Sequence, residues 1–527
     1  MRQIRAFRET LDPSARSMLP EVRCDRRNTR PPHRQRQGDP RMVQALSRRT
    51  FLGGVAAGAV VLGFDPVRRS WVTDALASGP LHRIPPLDGV LVTDDASLQE
   101  AADDYGHIVH RRPRAVLRPG SVEDIVKIVR FARRNCLKVA MRGQGHSNYG
   151  QAQAFAGIVI DSRTLDTIHH IGSDRATVDA GVTWRKVIEE GAAAGVTPPV
   201  LTDYQDLSVG GTLSVGGLGG ATQHHGLQVD NVLELTVVTG EGDLVTCSPR
   251  RRADLFEVVL AGLGQFAIIV RATIRMIPAP TQARVYNLYY DDIALYTSDQ
   301  RRLLAEGRFG YLEGQVVPRA SDTGWRFMIE AAAYFTPPSA PNDAALLAGL
   351  KDNASERVIS DTTYVGWQFR IDPVTAFLKA IGVWFFPHPW YSVFVPASKA
   401  NTYVGNILRT LTEADTGQGP ILFYPIATSK IRQALYPLPN EPVAFAFNLL
   451  RTAPPNDPAT LNAMVAHNRA LYDQVVRVGG TRYSIGSIPF SRHDWQQHFR
   501  PRWGLLVSSK RRFDPDNVLT PGQAIFT

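Results

Sequence analysis

Between residues 112 and 145 the spacing of apolar positions changes twice. A short apolar run ends at Pro119-Gly120, and Ser121 with Asp124 fits a reciprocal helix N-terminal cap. Ile125, Ile128, Val129 and Ala132 then recur at helical spacing, and 139–141 returns to a short extended run. The same reading predicts strands over 158–160, 177–180 and 233–238, and a short helix over 184–191. In AGLGQFAIIVRATI (261–274) glycines run directly into an apolar stretch, which predicts a buried strand. Strands and helices alternate without one long parallel series, so the expected class is α+β. Gly143-x-Gly145 lacks the third glycine of a dinucleotide-binding doubly wound fold.

After Pro278 the texture changes. Segments 286–336 and 363–396 are rich in Tyr, Phe and Trp, and helices are expected over 343–351 and 460–478. This predicts a second domain that encloses a substrate. There is no internal repeat.

Of the 527 residues, 44% are hydrophobic and 20% charged, as in ordinary globular proteins. The net charge of +10 is concentrated at the start. Residues 1–41 carry eleven Arg against five acids and residues 42–79 four Arg against two Asp, so only +2 remains for 80–527. A nucleic-acid partner is therefore not expected. Ser47-Arg48-Arg49-Thr50-Phe51-Leu52, followed by an apolar run to Phe64, matches a twin-arginine (Tat) signal, with Ala75-Leu76-Ala77 as a small-residue cleavage site. The run falls short of the roughly 20 apolar residues needed to span a bilayer. The expectation is a signal peptide over 42–79, recognised by the Tat machinery, and a mature protein outside the cytoplasm, periplasmic or extracellular. Residues 1–41 are expected to be a disordered basic tail or the product of a mis-assigned start upstream of Met42. Of Cys24, Cys136 and Cys247, the first lies in this leading segment, so no disulfide framework is expected.

Candidate chemistry lies in glycine-rich clusters. RGQGHSNYGQ (142–151) presents the His146 imidazole and the Ser147 hydroxyl in a turn whose backbone N–H groups can face a pyrophosphate. LTDYQDLSVGGTLSVGGLGG (201–220) sets two glycine pairs among Ser208, Thr212 and Ser214, suited to close approach to a flat ligand. LTPGQAIF (519–526) is the last cluster. Asp203 and Asp206 are both candidate bases; by residue type alone, either also reads as a turn or capping aspartate.

Taken in order, RGQGHSNYGQ, TDYQDLSVGGTLS, NVLELTVVTGEGDLVTCS, ADLFEVVLAGLGQFAIIVRA, PHPW and FDPDNVLTPGQAIF resemble the cytokinin dehydrogenases, within the vanillyl-alcohol-oxidase (VAO/PCMH) type of flavoprotein, over essentially all of 110–527. The resemblance implies a two-domain α+β flavoprotein binding FAD in a part built from 80–278 and 485–527, capped by an inserted substrate domain over 279–484, with the flavin attached covalently through His146. The covalent link would raise the flavin's reduction potential and prevent its loss after export. The resemblance also implies cofactor contacts at Gly143, Gly145, Ser147, Gln151, Asp203, Ser208, Ser214, Leu218, Ile268, Tyr483, Thr520 and Gln523. It selects Asp203 as the catalytic carboxylate and Glu313 as a second pocket carboxylate toward the adenine side, and it implies that Trp390 stacks on the substrate. The family typically carries Asn two residues after that Trp, where this chain has Ser392, which alters the wall near the substrate's side chain. Gln144 stands where a further Arg is common.

The implied reaction oxidises the side-chain amine of an N6-isoprenoid adenine to an imine, which water splits to adenine and an unsaturated aldehyde. Electrons would leave to a quinone-like acceptor or O2. Two alternatives are carried: an FAD-dependent alcohol or sugar oxidase of the same type, which would need a pocket rich in hydroxyl-binding groups, and a flavin-retaining protein that sequesters an adenine derivative without turnover. No metal is expected.

Overall fold

The computed structural model describes residues 61–65, 70–73, 84–319, 324–417 and 419–526. The twin-arginine motif and the proposed cleavage site lie outside these residues. The end of the apolar run is described, and β1 (Val61–Asp65) pairs antiparallel with β2 (Ser70–Thr73). No helix among the described residues is long and apolar enough to cross a membrane.

A four-stranded sheet follows. It holds β3 (Val90–Val92), β4 (Ala115–Arg118), β5 (Val139–Arg142) and β6 (Ile158–Asp161) in the order β3-β4-β6-β5, and β4, β6 and β5 run parallel. The helix between β4 and β5, Val122–Arg134, buries Ile125, Ile128, Val129 and Ala132 as their spacing required, together with Phe131. Full burial of each large aliphatic group contributes about 1.5–3 kcal/mol. The expected reciprocal cap is absent, since Ser121 makes no capping bond. Asp124 instead accepts from the N–H groups of Asp88, Gly89 and Gly120 at 2.8, 2.7 and 2.9 Å, so its carboxylate ties the strand-to-helix turn to the preceding loop.

A second sheet packs alongside. Its strands are β7 (Ile168–Ile171), β8 (Arg175–Asp179), β10 (Val232–Thr239), β11 (Leu244–Cys247) and β12 (Ala267–Arg275), in the order β11-β10-β12-β8-β7. A ribbon of β9 (Val196–Thr197) and β13 (Ile277–Pro278) closes this part. The 184–191 prediction corresponds to the helix Trp184–Ala193.

Beyond Pro278 the architecture changes to one eight-stranded antiparallel sheet. Its strands are β14 (Gln282–Tyr290), β15 (Tyr311–Pro318), β16 (Trp325–Phe335), β17 (Val358–Thr363), β18 (Tyr391–Pro396), β19 (Ile421–Ala427), β20 (Val443–Leu449) and β21 (Thr481–Arg482). Their order is β17-β14-β16-β15-β19-β20-β18-β21. The long helix Pro458–Arg477 covers part of it, close to the expected span. The helix expected over 343–351 starts under an Asn342 cap but stops at Leu346, and the backbone turns beyond it at Gly349, whose φ is +70°.

The chain then returns to the first part. Val139 and Leu519 form a parallel bridge, with Thr520 N–H donating to the Val139 carbonyl at 2.8 Å. Buried Asp514 holds this return by accepting from Val518 N, Leu519 N and Lys510 Nζ at 2.8, 2.9 and 2.7 Å. Cys136 is exposed and Cys247 buried, and both are free thiols.

Candidate active site

Where β5 ends, the glycine loop is held from below. Asp104 accepts from Gly150 N at 2.7 Å and from Gly106 N at 3.1 Å, while Tyr105 N and Gly106 N donate to the carbonyls of Gly145 and Ser147. A Cβ on Gly143 would lie 2.1 Å from Ser208 Oγ and 3.0 Å from its Cβ, so glycine gives this loop the room to pack on the start of the helix Val209–Val215. Gly522 meets the same loop, with its Cβ position 2.1 Å from the Gly150 carbonyl. Three distant segments of sequence thus converge on one place.

Between these loops and the eight-stranded sheet lies a cavity of about 440 Å³. Of the positions implied by the sequence, Gly143, Gly145, His146, Ser147, Gln151, Asp203, Ser208, Ser214, Leu218, Ile268, Trp390, Tyr483, Thr520 and Gln523 all line it. Glu313 and Ser392 do not. Glu313 sits behind Asp203, Tyr311 and Arg370, 3% exposed, and Gln315, two residues on along β15 and on the same face, reaches the cavity instead. Ser392 is fully buried, and the cavity position in its row of the sheet belongs to its cross-strand partner Asn448.

The structure also separates the two candidate aspartates. Asp206 is not on the cavity wall; it is paired with Arg185, which also binds Asp372 at 2.8 Å. Asp203 is on the wall. Its Oδ1 accepts from Tyr311 Oη at 3.0 Å and from Arg370 Nη2 at 2.5 Å, and Arg370 Nη2 also donates to Tyr311 Oη at 2.5 Å. The Arg370 guanidinium lies over the Trp367 ring at 4.3 Å, with Nε 3.7 Å from Glu330.

This cluster sets unusual protonation. Burial, reinforced by the Asp203 charge, pushes Glu313 well above the carboxylate range. Burial raises Glu330 to about 7, against the pull of Arg370. Three carboxyl groups sharing one guanidinium cannot all be charged at low cost; Glu313 is the one burial holds most strongly protonated, while Glu330 titrates near neutrality.

His146 opens onto the cavity within an aromatic stack. Its ring lies 4.0 Å from Tyr105, which also stacks on His388 at 4.1 Å. Trp384 and Trp390 stand 5.9 and 6.0 Å from the His146 ring. Loss of water contact, helped by His388 and Lys379, lowers the His146 pKa to about 3. The imidazole is therefore neutral at physiological pH, with a nitrogen lone pair available for bond formation.

Tyr105, Trp384, Gln315, Tyr424 and Asn448 on the wall, and Arg370 behind it, carried no local motif. The only signal for Arg370 was indirect: a carboxylate in an apolar slot needs a buried donor.

The cavity fits a flavin dinucleotide on its own geometry. Glycines at 143, 145, 210, 211 and 217 expose backbone along one wall. Asn148 Oδ1, in the glycine loop, is buried without a hydrogen-bond partner and so can receive a ligand donor.

Comparisons with known proteins agree with this geometry. The FAD binding domain family matches residues 113–248, and the family described as cytokinin dehydrogenase 1, FAD and cytokinin binding, matches 319–526. An uncharacterized oxidoreductase, ORF5 of the fasciation locus of Rhodococcoides fascians, is 40% identical over 83% of this chain and 99% of its own length. Cytokinin dehydrogenase 1 of Oryza sativa subsp. japonica is 35% identical over 83% of this chain and 92% of its own. Among solved structures, 6-hydroxy-D-nicotine oxidase of Arthrobacter nicotinovorans superposes with a TM-score of 0.65 at 21% identity, covering 82% of this chain and 96% of that one. A VAO-type flavoprotein of Myceliophthora thermophila C1 does so with a TM-score of 0.63 at 18% identity, covering 78% and 79%.

Proposed function

The chain belongs to the cytokinin dehydrogenase family of FAD-dependent oxidoreductases, and on that premise we propose that it oxidises the C–N bond joining the isoprenoid group to the N6 amine of an adenine. The product imine hydrolyses to adenine and an unsaturated aldehyde. The observation that carries this reading is the Asp203 carboxylate, fixed on the cavity wall by Arg370 and Tyr311 in the same cavity as the His146 loop.

FAD, held by the glycine loop, the helix Val209–Val215 and the 520–523 turn, would supply hydride acceptance. His146 is the proposed attachment point, since it is neutral, on the wall, and clamped by the Tyr105 ring. Asp203 Oδ1 is committed to Arg370 and Tyr311, so Oδ2 is the atom that takes or holds the amine proton. Trp384 and Trp390 offer flat faces to a purine, and Val374, Leu378, Leu422 and Leu450 exclude water from the amine. This wall is mainly apolar, which favours a planar amine over a sugar. The turnover expected of a carboxylate so placed disfavours simple sequestration.

Electrons pass to a quinone-like acceptor or to O2. Export by the Tat machinery is part of the same proposal and rests on the 47–52 motif. Anaerobic titration with isopentenyladenine tests the function: the visible flavin absorbance should bleach at one equivalent. No bleaching with any N6-alkyl adenine would reject the reading.

A further inference from the structure

One row of residues crosses the sheet over the cavity. Gln315 on β15 pairs with Leu422 on β19, Leu422 with Asn448 on β20, and Asn448 with Ser392 on β18. Cross-strand partners point to the same face, so all four sit side by side. Gln315, Leu422 and Asn448 reach the cavity; Ser392 lies beyond it.

Asn448 is 4% exposed, and its Oδ1 has no hydrogen-bond partner, although it stands on the cavity wall. The neighbouring Ser392 Oγ is equally buried and makes no bond to it. Leaving a buried carbonyl unpaired costs about 1–3 kcal/mol, a cost removed when a ligand brings a donor. The reacting amine is not that donor, because it belongs to Asp203. Tyr424, within the electrostatic reach of Asp203, is two residues along β19 from Leu422, a step of roughly 7 Å. That step is on the scale of a five-carbon isoprenoid group.

We propose that Asn448 is a specificity-determining residue whose amide binds a hydroxyl on the substrate's isoprenoid group, so that hydroxylated isoprenoid amines are preferred over plain ones. The amide serves in either orientation, since Oδ1 accepts from the hydroxyl and Nδ2 donates to it. The inference rests on the reading that N6-isoprenoid adenines are the substrates.

The test compares kcat/KM of the holoenzyme for isopentenyladenine and its terminally hydroxylated analogue, each also as the 9-methyl derivative. Wild type should favour the hydroxylated compound about tenfold, the equivalent of about 1.4 kcal/mol, with or without the 9-methyl group. In Asn448→Leu the ratio should fall to about one, mainly through KM, and Asn448→Asp, which keeps an acceptor, should restore part of it. Asn448→Ser provides a second small variant if the leucine variant does not fold. Equal use of both substrates by wild type, an unchanged ratio in the variants, or a preference that follows the ring N–H instead would overturn the inference alone. Turnover of neither substrate would reject the functional reading, and this inference with it.

Discussion

Arg370 reaches across 167 residues of sequence to donate to Asp203 Oδ1 at 2.5 Å, and its guanidinium is 4% exposed where the carboxylate is 31% exposed. A buried cation thus holds one oxygen of a carboxylate that lines the cavity. Its remaining neighbours, Glu313 and Glu330, are also carboxyl groups, and this single guanidinium opposes the burial that raises both.

Replacing Arg370 should therefore cost both activity and stability. Arg370→Met leaves Asp203 unheld and Glu330 without its counter-charge, and about 3–5 kcal/mol of stability should be lost, as when one partner of a buried ion pair is removed. Arg370→Lys keeps the charge without the fork and should lie between. Thermal midpoints and kcat measured together check this; a Met variant with wild-type kcat would remove Arg370 from the site.

Asp203→Asn preserves shape and removes the proton acceptor. Turnover should fall by about 10²–10⁴, the usual contribution of a positioned acid or base, while flavin content is retained. Tyr311→Phe removes one of two bonds to Oδ1 and should cost about tenfold. Single-turnover flavin reduction separates both effects from product release.

Glu330 provides a pH test. An acid whose pKa rises from 4.5 unfolded to about 7 folded keeps its proton in the native state while the unfolded state ionises. Stability from this group is full below pH 4.5 and is lost as pH rises toward 7, a change on the order of 3 kcal/mol. Glu330→Gln cannot ionise, so its thermal midpoint relative to wild type should rise between pH 5 and pH 8. A difference that stays constant with pH would contradict the buried titration.

His146→Ala should yield protein whose flavin is released by acid precipitation, with intact mass showing no added dinucleotide. Tyr105→Ala removes the ring stacked at 4.0 Å and should slow attachment without abolishing it. Colourless acid-precipitated wild type would show that His146 carries no covalent link.

The amino-acid pattern alone located several elements of the first part and the glycine loops that meet the cavity, while the strands of the eight-stranded sheet stayed unassigned. Periodicity located the helix over 122–134 and the strands at 139, 158 and 232, because burial of one face imposes a local repeat. Glycine clusters marked the loops that meet the cavity, since close backbone approach demands that residue type wherever the loop goes. Tertiary structure decided which residues share the cavity. It placed Gln315 rather than Glu313 on the wall, gave Ser392's place to Asn448, tied Asp206 to Arg185, and brought Arg370 to Asp203. Cross-sheet register and the docking of a distant helix end fix these outcomes. Neither leaves a periodic trace near the residues concerned, so the charge pattern of the inner wall emerges only when the two parts of the molecule are folded together.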